Sequence, residues 1–75
     1  MSATYKISKS QAAQYTVIKN GKSSSLMTAS ELRQLCQTMG EPYAHLIAEL
    51  EKNDVVELLV AYGKVQTFTS DRLGH

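Results

Sequence analysis

Cysteine, proline and tryptophan are scarce in this sequence, and their scarcity narrows the classes of protein to consider. The 75 residues include one cysteine, Cys36, one proline and no tryptophan. A single cysteine cannot form a disulfide within the chain, and a lone thiol is more typical of a reducing compartment. No apolar run approaches the ~20 residues of a membrane span, and residues 1–10 lack the apolar segment of a signal peptide. We therefore expect a cytoplasmic protein with no membrane partner.

The short length limits what the chain can build. With 75 residues, we expect one small domain over 1–75. A domain of this size buries only about 60–65% of the surface that its unfolded chain exposes. Such marginal domains often gain stability from self-association, so a homodimer is one expectation. No motif for a cofactor is recognisable, and we expect neither a cofactor nor an enzyme.

Charge is divided unevenly between the two halves of the chain. The formal net charge is +1, but residues 1–33 hold five basic residues against one acidic, whereas residues 34–75 hold three against six. The basic residues of the first half are the candidates for binding nucleic acid: Lys6, Lys9, Lys19, Lys22 and Arg33. The acidic stretch in the second half is a candidate contact for a basic partner: Glu49, Glu51, Asp54 and Glu57.

The first half of the sequence is predicted to form β-strands. Apolar residues at Tyr5 and Ile7 alternate with polar neighbours, which predicts a short strand followed by a loop over 8–14. Residues 15–18 are β-branched or aromatic, as in strands, and lead into Asn20-Gly21, a strong signal for a type I′ hairpin turn. The serine-rich return strand is polar on both faces, so we expect it at a sheet edge.

Two consecutive helices are predicted in the middle of the chain, at about 29–39 and 42–52. Thr28 and Glu31 have the spacing of a capping box, and Gly40 can adopt the positive φ that ends a helix. Pro42 suits the first turn of the second helix. That helix has a clean apolar stripe, made of Tyr43, Leu46, Ile47 and Leu50.

The last third of the sequence predicts a hairpin. Residues 55–62 form an apolar run with β-branched residues, Gly63-Lys64 fits a type II′ turn, and residues 65–69 alternate as a return strand. Residues 70–75 are polar and predict a flexible tail. We expect an α+β fold of two layers, in which the N-terminal strands and the C-terminal hairpin form an antiparallel sheet packed by the two helices.

Two residues invite a chemical hypothesis. Cys36 could act as a nucleophile, but it lies on the apolar stripe of the first helix, which favours a position in the core. His45 lies four residues from both Glu41 and Glu49, a spacing at which a metal could bind. Without a further cysteine or histidine nearby, a surface pair between His45 and Glu49 is the better interpretation, and we expect no metal site.

By elimination, the sequence favours a small non-catalytic module that binds an unidentified protein. We expect a modulator or inhibitor of a larger partner, similar in size to phage or mobile-element accessory proteins. The partner-binding candidates are Glu49, Glu51, Asp54, Val55, Glu57 and Leu59. The alternative is a nucleic-acid-binding regulator that uses the basic first half, with Tyr5 and Tyr15 stacking on bases.

Overall fold

The computed structural model describes residues 2–11 and 13–71, and it arranges them as five strands and two helices. In chain order these are β1 (Ser2–Gln11), β2 (Gln14–Lys19), β3 (Ser23–Thr28), α1 (Ala29–Met39), α2 (Tyr43–Lys52), β4 (Val55–Ala61) and β5 (Lys64–Asp71). The strands form one antiparallel sheet in the order β3-β2-β1-β4-β5. The predicted α+β fold class, with a sheet from both ends of the chain and two central helices, is confirmed.

The first strand is longer and more central than its sequence indicates. We predicted a short strand and then a loop over 8–14, but β1 continues to Gln11: it pairs with β4 as far as Ser8 and with β2 as far as Gln11. The pairing with β2 satisfies backbone groups of its last residues. That gain outweighs the weak strand preference of its polar residues, because strand propensity depends strongly on position in the sheet.

The turn between β2 and β3 has the predicted conformation at Asn20 and Gly21, but the loop is one residue longer than a two-residue hairpin turn, because Lys19 pairs with Ser23 and Lys22 belongs to the loop. Asn20 and Gly21 both have positive φ, 56° and 70°, as a type I′ turn requires. The amide of Lys22 closes the turn by donating to the carbonyl of Lys19 at 3.1 Å. The serine-rich β3 lies at one edge of the sheet, as expected from its polar faces.

The start and end of α1 follow the sequence signals. The Glu31 amide donates to Oγ1 of Thr28 at 3.3 Å, and the Thr28 amide donates to Oε1 of Glu31 at 3.0 Å. Gly40 ends the helix with φ of 70°. The second helix begins at Tyr43, directly after Pro42, so its predicted start was one residue early.

Removal of the Thr28 hydroxyl should destabilise the protein. Thr28→Ala leaves the Glu31 amide without its acceptor, and we expect the free energy of unfolding to fall by about 1 kcal/mol. Chemical denaturation followed by circular dichroism measures the change. Ser30→Ala, an exposed neighbour in the same turn, is the matched control and should alter stability by less than about 0.5 kcal/mol. Equal effects of the two substitutions would contradict the capping role.

The β4–β5 connection differs from the prediction by one residue. Ala61 pairs with Lys64, so the turn consists of Tyr62 and Gly63 rather than Gly63 and Lys64. Both turn residues have positive φ, 56° and 74°, which corresponds to type I′ geometry rather than type II′. Tyr62 is consequently 88% exposed instead of continuing the strand.

The end of β5 lies later than expected. The strand extends to Asp71 and so includes Ser70 and Asp71, the first two residues of the predicted tail. Residues 72–75 lie outside the described residues.

The core lies between the helices and one face of the sheet. Alternate residues of the central strands point toward the helices, and they are buried together with the apolar stripes of α1 and α2. The sheet contributes Ile7, Tyr15, Val17, Val56 and Leu58, and the helices contribute Leu32, Cys36, Met39, Leu46 and Leu50. Apolar side chains that are partly exposed pack around this cluster, among them Leu35, Ile47, Val60 and Phe68.

Candidate protein interface

The second face of the sheet is not packed by a helix. Since Ile7, Val17 and Val56 point toward the helices, the residues between them in sequence point the other way. Strand pairing aligns these residues in three rows across the sheet. The rows are Leu26, Thr16, Ser8, Val55 and Asp71; Ser24, Ile18, Lys6, Glu57 and Thr69; and Thr4, Leu59 and Thr67. We refer to these thirteen residues as the open face.

The open face mixes apolar, hydroxyl and charged groups. Its apolar members differ in exposure: Leu26 is 60% and Leu59 39% exposed, whereas Ile18 and Val55 are half-buried by their neighbours. Hydroxyl side chains of serine and threonine occupy six of the other positions, and no aromatic residue is among the thirteen. The four apolar side chains are therefore the part of the open face that a partner would remove from water.

Two side chains of opposite charge lie next to each other in the middle of the open face. Lys6 on β1 is directly opposite Glu57 on β4. A shallow hollow lies on either side of them, one towards β5 and Asp71 and the other towards β2 and Ile18. Each hollow offers a space into which a side chain of a partner could fit.

The six predicted partner-binding residues do not form one patch. Val55, Glu57 and Leu59 alternate along β4 and lie together on the open face. Asp54 lies before β4, and its amide donates to the carbonyl of Asp71 at 3.0 Å. A run of acidic residues along the sequence is thus divided among a helix, a turn and a strand.

The remaining acidic candidates, Glu49 and Glu51, belong to α2 on the opposite side of the sheet. Oε1 of Glu49 accepts hydrogen bonds from Oγ of Ser70 at 3.0 Å and from Nδ2 of Asn53 at 3.3 Å. The Glu49 carboxylate therefore links α2 to β5 and has a structural role.

The five basic candidates are also dispersed. Lys6 is on the open face, Lys9 is an exposed residue farther along β1, and Lys22 lies in the β2–β3 turn. The other two cations contact aromatic rings: Nζ of Lys19 lies 5.7 Å from the Tyr5 ring centre, and the Arg33 guanidinium lies 4.7 Å from that of Tyr43. The fold does not collect these charges into one basic surface.

The two tyrosines expected to stack on bases face the helices instead. Tyr15 is buried in the core, and Tyr5 packs against that core from the neighbouring strand. Burial raises the pKa of Tyr15, and the nearby Tyr43 adds to this effect. Neither ring is presented on the open face, where an extended nucleic acid would need a stacking partner.

His45 pairs with a different carboxylate from the one predicted. Its Nδ1 lies 2.6 Å from Oε2 of Glu41, and its ring stacks on Phe68 with 4.6 Å between ring centres. The expected pair with Glu49 was wrong because that carboxylate is already bound by Ser70 and Asn53. Within residues 2–11 and 13–71, no three histidine, cysteine or acidic side chains are grouped so as to hold a metal ion.

Cys36 occupies the core position favoured by its sequence context. Its side chain is 0% exposed. Burial, with a smaller contribution from the charge of Glu41, raises the pKa of the thiol to about 11. A thiol with this pKa remains protonated at neutral pH, and the thiolate is the form that acts as a nucleophile.

The raised pKa of Cys36 predicts a loss of stability in alkaline solution. The unfolded thiol ionises near its ordinary pKa of 9.0, whereas the folded thiol stays protonated up to about 11. Between these values the folded state binds more protons, so the free energy of unfolding should fall with rising pH, by about 2 kcal/mol. Denaturation from pH 8 to 11 measures this slope. Cys36→Ala retains the other titrating groups and should reduce it, and an unchanged slope would contradict the assignment.

Comparison with protein-family models, curated proteins and solved structures finds no match to this chain. Among the residues that the structure describes, neither helix has the length and apolar character needed to cross a membrane. The functional proposal therefore rests on the geometry and chemistry of the surfaces described above.

Proposed function

We propose that this protein is a non-catalytic module that binds a larger protein through the open face and thereby modulates it. The observation that carries the proposal is the presence of Leu59 and Val55 on β4, and of Ile18 on the far side of β1, on a sheet face with no covering helix. Apolar side chains gathered on an uncovered face gain free energy when a partner removes them from water.

The charges of the open face indicate the chemistry of the partner. Lys6 and Glu57 lie side by side at the centre, so a matching surface would place a carboxylate near Lys6 and a basic group near Glu57. Such an alternation fixes the orientation of the partner more than it adds affinity. The surrounding hydroxyl groups suit hydrogen bonds at the margin of the contact.

The same charges argue against nucleic acid as the ligand of this face. The three rows contain one lysine, Lys6, and two carboxylates, those of Glu57 and Asp71, and Lys64 lies in the row beyond them, opposite Ala61. Binding to nucleic acid depends mainly on cations that neutralise phosphates, and a face whose two lysines are balanced by two carboxylates lacks the positive charge that it needs. A protein partner is therefore the better match.

The test compares two exposed substitutions that introduce the same charge on opposite sides of the molecule. Leu59→Lys changes the open face, and Gln37→Lys changes an exposed position of α1. Each variant and the original protein are used to capture partners from host lysate treated with nuclease. We expect one protein to bind the original and Gln37→Lys but not Leu59→Lys, and the original should change the activity of that purified partner.

Two results would overturn the proposal. Retention of the same partner by Leu59→Lys would show that binding occurs elsewhere on the molecule. Loss of all binding after nuclease treatment, together with direct binding to DNA or RNA at about 50 mM salt, where electrostatic contacts are strong, would instead support a nucleic-acid ligand.

A further inference from the structure

The outer edge of β3 lacks the features by which proteins usually protect a sheet edge. The strand Ser23–Thr28 contains no proline and no charged side chain, and its pairing with β2 has no irregularity. At the other edge of the sheet, β5 has Lys64 and Asp71 at its ends and a bulge opposite β4. Charges and bulges oppose pairing with a further strand, so β3 is the less protected edge.

The turn that precedes β3 establishes which of its backbone groups point outward. The Lys19 carbonyl faces β3, since it accepts from the Lys22 amide, and the Asn20 amide faces β1, since it donates to Thr4. Backbone groups of successive residues in a strand point to opposite neighbours, so Lys19 and Ser23 form a hydrogen-bonded pair.

The same alternation along β3 directs Ser25 and Met27 toward β2. It leaves the amides and carbonyls of Ser24 and Leu26 directed away from the sheet. The Thr28 amide points the same way, and Oε1 of Glu31 accepts from it at 3.0 Å. The outer edge therefore offers an extended strand two residues, each with one donor and one acceptor.

We propose that a second copy of this chain pairs with this edge, β3 against β3 in antiparallel orientation, around a two-fold axis at Ser25. Ser24 of each copy then lies opposite Leu26 of the other, and these two pairs exchange both hydrogen bonds. Ser25 faces its own equivalent at the axis. The sheets of the two copies join into one continuous sheet, and their open faces lie on the same side of it.

Hydrogen bonding and charge both select this register. A two-fold axis at Leu26 would place Ser24 opposite Thr28, whose amide already binds Glu31. An axis at Ser24 would place Leu26 opposite Lys22, whose amide already binds Lys19. With the axis at Ser25, Lys22 of one copy lies opposite Thr28 of the other, beside the Glu31 carboxylate. This contact occurs twice, and it identifies a second copy as a complementary occupant.

Proline at Leu26 tests the backbone pairing. Leu26→Pro removes an outward amide and no bond to β2, and proline is tolerated at edge positions of this kind. Leu26→Ala keeps the amide and is the matched control. Sedimentation equilibrium should be run from about 10 to 500 µM, because small interfaces are usually weak. We expect Leu26→Pro to raise the dimer dissociation constant at least about tenfold, because each dimer loses two hydrogen bonds. Leu26→Ala should raise it less than about threefold.

Cysteine at the axis tests the register. In the proposed dimer the two Ser25 positions form a non-hydrogen-bonded pair with about 4.5 Å between Cα atoms, within the range that a disulfide bridges. Ser25→Cys should form a covalent dimer on mild oxidation. In Ser23→Cys the new thiol faces Met27 of the other copy, too far from its own equivalent, and this variant should form no covalent dimer. The native Cys36 is buried in both variants.

Several results would overturn the dimer. The first is a mass of 8.3 kDa for the original protein at every concentration. The second is a folded Leu26→Pro variant that dimerises as strongly as Leu26→Ala. The third is equal cross-linking of the cysteine variants at positions 23 and 25. Leu59→Lys lies on the open face away from this edge, and it should dimerise normally. The edge pairing can therefore fail while the open face still binds its partner, and the reverse also holds.

Discussion

Lysine in place of Leu58 is expected to prevent folding, whereas lysine one position later, in place of Leu59, is expected to leave the fold intact. Leu58 is 0% exposed and lies in the core, and Leu59 is 39% exposed on the open face. An ammonium group at position 58 would lie between the sheet and the helices without an acceptor, at a cost of several kcal/mol. That cost is comparable to the whole stability of a small domain, about 5 kcal/mol.

Circular dichroism and amide-proton dispersion in NMR spectra distinguish the two outcomes. Leu59→Lys should retain a native spectrum and lose less than about 1 kcal/mol of stability, as is usual for surface substitutions. Leu58→Lys should give an unfolded spectrum at 25 °C. If both variants fold equally well, β4 does not present alternate residues to the core and the open face, and the assignment of the two faces is wrong.

Truncation of Leu46 has the second largest expected effect. Leu46 is fully buried where α2 packs on the sheet. Leu46→Ala removes apolar contacts and leaves a cavity, and we expect a loss of about 2–4 kcal/mol. For a marginally stable domain this loss lowers the thermal midpoint by about 8–30 °C, since about 1 kcal/mol shifts it by 4–8 °C.

Leu26→Ala is the matched control for this truncation, because it deletes the same atoms from a side chain that is 60% exposed. At protein concentrations too low for association, it should change stability by less than about 0.5 kcal/mol. Thermal denaturation of both variants measures the difference. A Leu46→Ala variant as stable as Leu26→Ala would remove α2 from the core and contradict the two-layer arrangement.

Signals that act over a few residues were sufficient to predict much of the fold. The capping box of Thr28 and Glu31 is a contact between residues three positions apart, and it forms as expected. Asn20 and Gly21 adopt positive φ because asparagine tolerates this conformation and glycine lacks a Cβ that would oppose it. The apolar residues of α1 and α2 have helical spacing, and this spacing alone predicts which face of each helix is buried.

Features that depend on distant parts of the chain could not be predicted from such local signals. The polar residues of β1 after Ile7 resemble a loop, and their strand conformation depends on pairing with β4 at Ser8 and with β2 as far as Gln11. The preference of His45 for Glu41 depends on Ser70, which occupies Glu49 from a different element. At each of these positions a tertiary contact determines the outcome, and no local pattern encodes it.

The candidate interface was only partly predictable for a similar reason. Val55, Glu57 and Leu59 were identified from their alternation along a strand, and they do share one face. Lys6 and Ile18, which share the open face with them, belong to strands whose pairing was unknown. Glu49 and Glu51 were grouped with them by proximity in sequence, which is a poor guide where a helix ends and a strand begins.

The central place of β1 has a consequence for how the chain reaches this structure. Ile7 pairs with Val17 through a short hairpin, but it pairs with Val56 across about fifty intervening positions. Bringing such distant segments together restricts the motion of the unfolded chain before any contact compensates for it, and non-local pairing slows folding. The β1–β2–β3 meander can form early, as a three-stranded ribbon with one apolar side. The arrival of β4 beside β1 would then complete the sheet and set the rate of folding.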